Sequence, residues 1–257
     1  MFRIIIPAYN EEKRISPTLE SYGRFFSKLN KEGLKNELLV VINNSTDNTI
    51  GIVEKYSKIF PNINYINLKP GGKGFAIING FKHALNHSNV IGFVDADGAT
   101  SPEAFYDLYL NLKNYDGIIG SRWKKDSNTQ RSIGKLIRSK GFNILTRVLF
   151  LFPYQDTQCG AKIFRRKVVE KIVNQIEIPE WGFDVNVLYL CKKHKFNVKE
   201  HPTIWVDKEG SKIKPIKVPI QMAGGAIRLR LLNSPFNFLV KAYDKLLPER
   251  LKIHNIS

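Results

Sequence analysis

The sequence predicts an α/β protein: a mostly parallel sheet with helices on both faces, followed by a short helical tail. Three observations predict it. Apolar runs of strand length alternate with longer helical patterns through the first half of the chain, the rhythm of a parallel sheet with crossover helices. The strand-to-helix junctions are polar, and open α/β sheets bind ligands outside the carboxyl ends of their strands. At 257 residues, 43% hydrophobic and 25% charged, the chain has a globular composition and the length to bury a sizeable core.

Taken in order, FRIII (Phe2–Ile6) reads as a strand leading to a helix near Glu11, and LLVVI (Leu38–Ile42) as one leading to a helix after Asp47. INYINL (Ile63–Leu68) precedes a helix after Gly74, and VIGFV (Val90–Val94) one opening at Ser101-Pro102-Glu103. There Ser suits the N-cap and Pro the first turn. GIIGS (Gly117–Ser121) is a fifth strand. In the segment Arg131–Phe152, helical spacing puts Ile133, Ile137, Ile144, Val148 and Leu151 on one face and Arg131, Lys135 and Arg138 opposite. Lys140 and Arg147 interrupt the stripe, though their stems can snorkel. Such a helix either covers a core or lies in an anionic membrane interface. Lys212–Lys217 is basic and broken by proline, so it reads as a linker. Two short helices follow, Ile220–Leu232 and Phe236–Leu247, divided by Asn233-Ser234-Pro235. The expected organisation is one domain over residues 1–212, in halves 1–122 and 123–212, with an amphipathic tail over 213–257.

The net charge of +17 and pI near 9.8 suit an anionic membrane surface, phosphorylated substrates or a polyanion. No helix-turn-helix, RRM or zinc signature accompanies the charge, so nucleic acid is not the expected partner. Cys159 and Cys191 have no metal or redox spacing and read as reduced, packed thiols of a cytoplasmic protein. The chain opens on a strand rather than a signal pattern, and no apolar stretch approaches the roughly 20 residues of a spanning helix. Any membrane association is expected to be peripheral, on the cytoplasmic face.

The chemistry concentrates in VDADGAT (Val94–Thr100). If the preceding strand persists through Asp97, then Asp95 and Asp97 point the same way, and a hard divalent cation would neutralise them. Alone, the pattern reads first as a polar turn closing a strand, because Asp-Gly is an ordinary turn dipeptide. Its context adds weight. Pro7–Glu11, Asn43–Asp47, Pro70–Gly74 and Asp95–Gly98 all fall at carboxyl ends of expected strands. Gly71-Gly72-Lys73-Gly74 can bring backbone N–H groups and a cation to a phosphate, although it lacks the spacer of a Walker A loop. Together they point to a nucleotide-plus-metal site. His83 and His87 stand four apart but read as a solvated pair.

IIIPAYNEE, NNSTDNT, GGKGFAIINGF and DADGAT, in that order, resemble the nucleotide-sugar half of family 2 glycosyltransferases, whose GT-A fold is Rossmann-like. GSR (Gly120–Arg122), DTQCGAKIF (Asp156–Phe164), WGFDVNVLY (Trp181–Tyr189) and EGSK (Glu209–Lys212) resemble its polyprenyl-phosphate branch. Within that branch the pattern is most similar to enzymes that put glucose on dolichyl phosphate, with those that put mannose next. The resemblance spans about residues 1–215. It implies that Pro7, Tyr9, Glu11, Asn43 and Asn44 border the nucleotide and that Lys73 approaches it. It implies that Asp95 and Asp97 hold the ribose, diphosphate and Mg²⁺ or Mn²⁺, while Ser211 and Lys212 close on the diphosphate. Arg122, Arg131, Asp156 and Gln158 are implied on the acceptor side, with Asp97, Asp184 and Arg122 the catalytic set. One departure is Asn43-Asn44-Ser45 where the family usually has Asp-Asp-Gly-Ser. Asn both donates and accepts, so UDP stays the first expectation and GDP the second.

The implied reaction moves a hexose, glucose first, from a nucleotide diphosphate onto a polyprenyl or dolichyl phosphate, with inversion at the anomeric carbon. A phosphate monoester is largely dianionic at pH 7 and needs no base to become a nucleophile. Asp184 then stands as a positioning group; if the acceptor is instead a sugar or lipid hydroxyl, Asp184 is the base.

Overall fold

The computed structural model describes residues 1–69, 71–130, 133–177, 182–208 and 217–246. Its strands are β1 (Phe2–Ala8), β2 (Asn36–Asn43), β3 (Ile63–Leu68), β4 (Val90–Phe93), β5 (Gly117–Ser121), β6 (Asn128–Gln130), β7 (Lys162–Arg165), β8 (Val198–Pro202) and β9 (Ile204–Val206). Its α-helices are α1 (Ile15–Lys31), α2 (Thr49–Ile59), α3 (Lys73–Ala84), α4 (Pro102–Asn111), α5 (Ile133–Phe150), α6 (Arg166–Ile172), α7 (Phe183–Lys193), α8 (Lys217–Leu232) and α9 (Asn237–Leu246).

Seven strands form one sheet in the order β3-β2-β1-β4-β7-β5-β8. All pairings are parallel except those of β7, which runs antiparallel between β4 and β5. The fold class expected from the sequence is therefore present, with one reversed strand. β7 interleaves the two expected halves of the domain, because a strand from beyond residue 123 separates β4 from β5. A small parallel ribbon, β6-β9, stands apart from the sheet.

Alternation along the central strands explains the two layers of helices. Ile4 and Ile6 of β1 and Leu38 and Val40 of β2 pack with Leu19, Tyr22 and Phe26 of α1, Val53 of α2 and Phe105 and Leu108 of α4. Ile5, Leu39 and Val41 face the other way, against Ile77 and Phe81 of α3, Val168 of α6, and Phe183 and Val187 of α7. A third cluster joins Ile119 of β5 to Phe142 and Phe150 of α5, Val185 and Leu188 of α7, and Ala226 and Leu229 of α8. The first tail helix thus packs on α5. It begins at Lys217, three residues before the expected Ile220, and the second begins at Asn237. The end of α5 is closed by Lys192, whose Nζ donates to the carbonyls of Phe150 (2.8 Å) and Leu151 (2.7 Å), satisfying groups a helix terminus leaves open.

Three boundaries depart from expectation at the polar junctions. The helix expected after Gly74 already opens at Lys73. The helix expected near Glu11 starts at Ile15, because residues 11–14 form a turn in which the N–H groups of Arg14 and Ile15 both donate to the Glu11 carbonyl at 2.9 Å. β4 stops at Phe93, so the strand does not carry through Asp97. Among the described residues, no helix is long and apolar enough to cross a membrane.

Candidate active site

The loops at the carboxyl ends of β1 and β2 are joined by side-chain bonds. Asn10, at φ 51°, accepts from the Thr46 N–H at 2.7 Å, and its own N–H donates to Ser45 Oγ at 3.0 Å. The Glu11 N–H donates to Thr49 Oγ1 at 2.8 Å, and Asp47 Oδ1 accepts from the Thr49 N–H at 3.0 Å. In this frame Pro7 is buried within β1, whereas Tyr9 is 48% exposed. Glu11 turns to Arg14, which donates to it through Nε (2.8 Å) and Nη2 (2.6 Å).

Asn43 is the last residue of β2 and only 1% exposed. Neither its Oδ1 nor its Nδ2 has a hydrogen-bond partner among the described residues. A buried amide left unpaired costs about 1–3 kcal/mol, and this one sits at the carboxyl end of β2 with its donor and its acceptor both unused. Asn44 is exposed at φ 53°, a left-handed conformation that Asn tolerates better than most residues. Its N–H donates to the Leu68 carbonyl at 2.8 Å.

A turn, not a strand, brings the two acids together. Asp97 Oδ1 accepts from the Ala99 N–H at 3.0 Å, an Asx turn, and Gly98 supplies the left-handed φ of 69°. From α1, Thr18 Oγ1 donates to the Ala96 carbonyl at 2.8 Å and the Tyr22 hydroxyl to the Thr100 carbonyl at 2.9 Å. Lys73, the first residue of α3, places Nζ 2.6 Å from Asp95 Oδ1. Behind Asp95 lies Gly160, where a Cβ would come within 2.0 Å of Asp95 Oδ2; only glycine lets the carboxylate sit there. Burial opposes charge on Asp95, but Lys73, Lys162 and Arg122 outweigh it and hold its pKa below the ordinary range. Asp97 is pushed the other way, by burial and by the charge of Asp95. The side chains of Lys73 and Asp95 remain 39% and 37% exposed, open to a ligand from the rim.

A second lysine lies beneath. Lys162 of β7 is fully buried, and its Nζ donates to Asp184 Oδ1 at 2.5 Å and to the Cys159 carbonyl at 2.6 Å. The other oxygen of Asp184 lies 4.0 Å from Lys73 Nζ. Asp184, in the first turn of α7, thus bridges two lysines, and the order Asp95, Lys73, Asp184, Lys162 alternates in charge. Cys159 packs as a buried free thiol, its pKa pushed up to about 11, chiefly by burial.

On the far side Arg122 grips Asp156. Nε and Nη2 donate to the two carboxylate oxygens at 2.7 and 2.9 Å, and the Arg122 N–H adds a third bond at 3.0 Å. Asp156 has no exposure; it anchors Arg122 and the Gln158 N–H (3.1 Å) and offers nothing to a ligand directly. Arg122 also lies over the Trp205 ring, 5.4 Å from its centroid. Gln158 is partly buried, with an Nε2 that has no partner among the described residues. Ser211, Lys212 and Arg131 lie outside the described residues, as does Trp181 of the WGFD stretch. His83, expected to be solvated, pairs through Nδ1 with Arg3 Nη1 at 3.0 Å.

Among the described residues, no cluster of three His, Cys, Asp or Glu side chains could hold a metal by itself. The Asp95–Asp97 pair fits a weaker demand. Mg²⁺ and Mn²⁺ favour hard oxygen donors, and Mg²⁺ commonly takes one or two carboxylates and completes its shell with substrate phosphates and water.

Three features were not singled out from the sequence: Lys162, Arg14 and Gly160. Lys162 carried one usable signal, a lone charge inside the apolar stretch Ala161–Phe164, which in an interior strand demands a buried partner.

A largely parallel sheet with one reversed strand, bearing an acidic pair, a glycine-flanked lysine and an orphan amide on one rim, defines the GT-A class of nucleotide-binding fold. Solved structures agree. Glucosyl-3-phosphoglycerate synthase from Mycobacterium tuberculosis, in complex with Mn²⁺, uridine diphosphate and phosphoglyceric acid, superposes with a TM-score of 0.65 at 15% identity, covering 90% of this chain and 77% of that one. A mycobacterial protein superposes at 0.68 and 17% identity, over 90% and 74% of the two chains. The model of the family described as Glycosyl transferase family 2 matches residues 3–173, and the chain belongs to that family. It is 34% identical over 240 residues to the dolichyl-phosphate beta-glucosyltransferase of Dictyostelium discoideum, covering 88% of this chain and 73% of that protein. The Drosophila melanogaster and Homo sapiens proteins of the same name are 33% and 30% identical, over 85% and 89% of this chain and 71% and 74% of theirs.

Proposed function

We propose that this chain is an inverting glucosyltransferase that moves glucose from UDP-glucose to dolichyl phosphate. The observation that carries the nucleotide-sugar half is the Lys73–Asp95–Asp97 group at the end of β4, with the unpaired Asn43 amide on the same rim. The names of the relatives at 30–34% identity support the acceptor.

In this reading Asn43 pairs with the base, using a donor and an acceptor, and Tyr9 covers it. Asp95 and Asp97 hold Mg²⁺ or Mn²⁺, which when bound neutralises charge building on the diphosphate. Lys73 passes from Asp95 to the diphosphate as the donor binds and adds a second positive charge to the leaving group, the electrostatic contribution that usually dominates. Asp184 and Lys162 fix where Lys73 can go. A phosphate oxygen of the acceptor attacks the anomeric carbon, the bond from that carbon to the UDP oxygen breaks, and UDP leaves with the electron pair. No proton moves. A hydroxyl acceptor would need Asp184 as base, but both of its oxygens face lysines, which weighs against that reading.

The acceptor's membrane is met, in this reading, by α5, α8 and α9 at the cytoplasmic face. Val148 of α5 and Leu151, just beyond its end, are 69% and 76% exposed, and Ile220, Ile227, Phe238 and Leu246 of the tail helices are also exposed. This is an apolar surface on a chain of net charge +17. Each Lys or Arg near an anionic leaflet contributes about 1 kcal/mol, so salt should weaken binding to phosphatidylserine vesicles. Unchanged binding in high salt would leave apolar insertion as the sole attachment.

The deciding experiment is a transfer assay with Mn²⁺ or Mg²⁺, dolichyl phosphate and a panel of UDP- and GDP-sugars, read by mass detection of the lipid product. Glucosyl phosphoryl dolichol formed from UDP-glucose, and lost with EDTA, is the expected outcome. Donor hydrolysis with no lipid product would sink the acceptor assignment.

A further inference from the structure

The outer face of α5 carries a feature that the reaction above does not use. Lys140, Asn143, Ile144 and Arg147 fall at helical spacings of three and four and share one face. With Trp123 and Gln155 they line a notch of about 180 Å³.

Asn143 is only 3% exposed. Its Oδ1 accepts from the Thr157 N–H and the Thr157 hydroxyl, both at 2.9 Å. A backbone N–H can only donate, so the amide orientation is fixed with oxygen toward Thr157. Its NH₂ is left buried and without an acceptor among the described residues. Lys140 and Arg147 are exposed, and no carboxylate among the described residues lies within ion-pairing distance of either. Two unneutralised cations and an orphan amide donor, brought together on one wall, call for a ligand made of acceptors with negative charge. A phosphate is such a group.

The surroundings say what kind. From Ile144 the helix continues in Val148, and Leu151 follows just beyond its end at Phe150, all three exposed; Trp123 offers an indole, a side chain favoured at the boundary between water and lipid. An inorganic ion has no use for that row; an alkyl or prenyl chain does. Trp123 follows Arg122 and Gln155 precedes Asp156, so the notch adjoins the Arg122–Asp156 pair along both segments.

We propose that this notch is an entry site for the acceptor. Lys140, Arg147 and the Asn143 NH₂ hold the phosphate of a prenyl phosphate, and its chain lies along Ile144, Val148 and Leu151. The inference deepens the proposed function and rests on it for the identity of the lipid.

Citronellyl phosphate, a short soluble prenyl phosphate, and inorganic phosphate are the probes, titrated by calorimetry into the full chain without metal. Lys140→Ala/Arg147→Ala should weaken citronellyl phosphate binding tenfold or more. Asn143→Asp should do the same, because it keeps the acceptor for Thr157 while replacing the donor with a negative charge. UDP affinity, a check that the fold is intact, should be unchanged in both. Equal binding of citronellyl phosphate by wild type and both variants would overturn the site. Inorganic phosphate bound as tightly as citronellyl phosphate would overturn the lipid. The two readings fail separately. If wild type transfers glucose while the variants keep normal acceptor affinity, the notch is wrong and the function stands. If wild type transfers nothing yet binds citronellyl phosphate through these residues, the notch stands and the glucosyltransferase reading falls.

Discussion

Lys162 Nζ lies 2.5 Å from Asp184 Oδ1, and the lysine has no exposure to solvent. A fully buried ammonium persists only when paired, so Asp184 is first of all the counter-ion of Lys162. Its second oxygen, 4.0 Å from Lys73, links that buried charge to the half-exposed one at the rim. Asp184→Asn should therefore lower stability by about 3–5 kcal/mol in urea unfolding, the usual cost of leaving one buried charge unpaired. The double variant with Lys162→Met should recover part of it. Turnover should fall through donor binding, with the pH–rate profile keeping its shape. Loss of the acidic limb in Asp184→Asn would instead make Asp184 a general base.

A substitution at Asn43 can test ligand binding apart from folding. Because its amide has no partner among the described residues, Asn43→Leu removes no intramolecular bond and should leave the unfolding midpoint equal or higher. UDP affinity should fall about tenfold, equivalent to about 1.4 kcal/mol. Calorimetry with UDP and GDP reads the base preference in the same experiment. Unchanged affinity for both nucleotides would remove Asn43 from the base site.

The framework of the fold was legible in the sequence because its central strands are uniformly apolar and end in polar junctions. All five expected strands are present: β3 and β5 match to the residue, and β1 and β2 run longer, to Ala8 and over Asn36–Asn43; Ser101 caps α4 as expected, its Oγ accepting from the Ala104 N–H at 3.2 Å. β4 ends one residue early, at Phe93 rather than Val94. β7 and β8 were not legible. The Lys162–Arg165 strand hides a charge in its first position, and Val198–Pro202 is half-buried and polar, so neither shows a strand's apolar signature. Strand alternation does not set the geometry of Asp95 and Asp97: β4 ends at Phe93, and the segment is shaped by an Asx turn at Asp97 and the left-handed Gly98. Contacts such as Gly160 against Asp95 join loops far apart in sequence, and no local pattern announces them.

Asp156 sets an acid limit on stability. Its carboxyl is held down to about 2, because Arg122 and the N–H groups of Arg122 and Gln158 outweigh the effect of burial. The native pKa is below the ordinary 3.8, so the folded state binds the proton less readily than the unfolded chain. The pair's contribution, about 2 kcal/mol, is complete above the ordinary value and lost as pH falls from there towards 2. Asp156→Asn should be less stable than wild type at pH 6, and the difference should narrow by about that amount as the pH is lowered to 3 and below. Parallel urea curves with a constant gap at every pH would contradict the assignment.

Asp95 and Asp97 differ in what already holds them, and that difference predicts how metal dependence divides between them. Asp95 is paired with Lys73 at 2.6 Å and backed by Gly160. Asp97 accepts one backbone N–H and has no ion-pair partner among the described residues, so its free oxygen is the one most available to Mn²⁺. Asp97→Asn should raise the Mn²⁺ concentration for half-maximal transfer at least tenfold and lower kcat by on the order of 10²–10³. UDP binding without metal should change little. Asp95→Asn should weaken both, because it also releases Lys73 from its resting place. In wild type, EDTA should abolish transfer and added Mn²⁺ restore it. Identical Mn²⁺ titrations for wild type and Asp97→Asn would mean that Asp97 shapes the turn and the metal is held elsewhere.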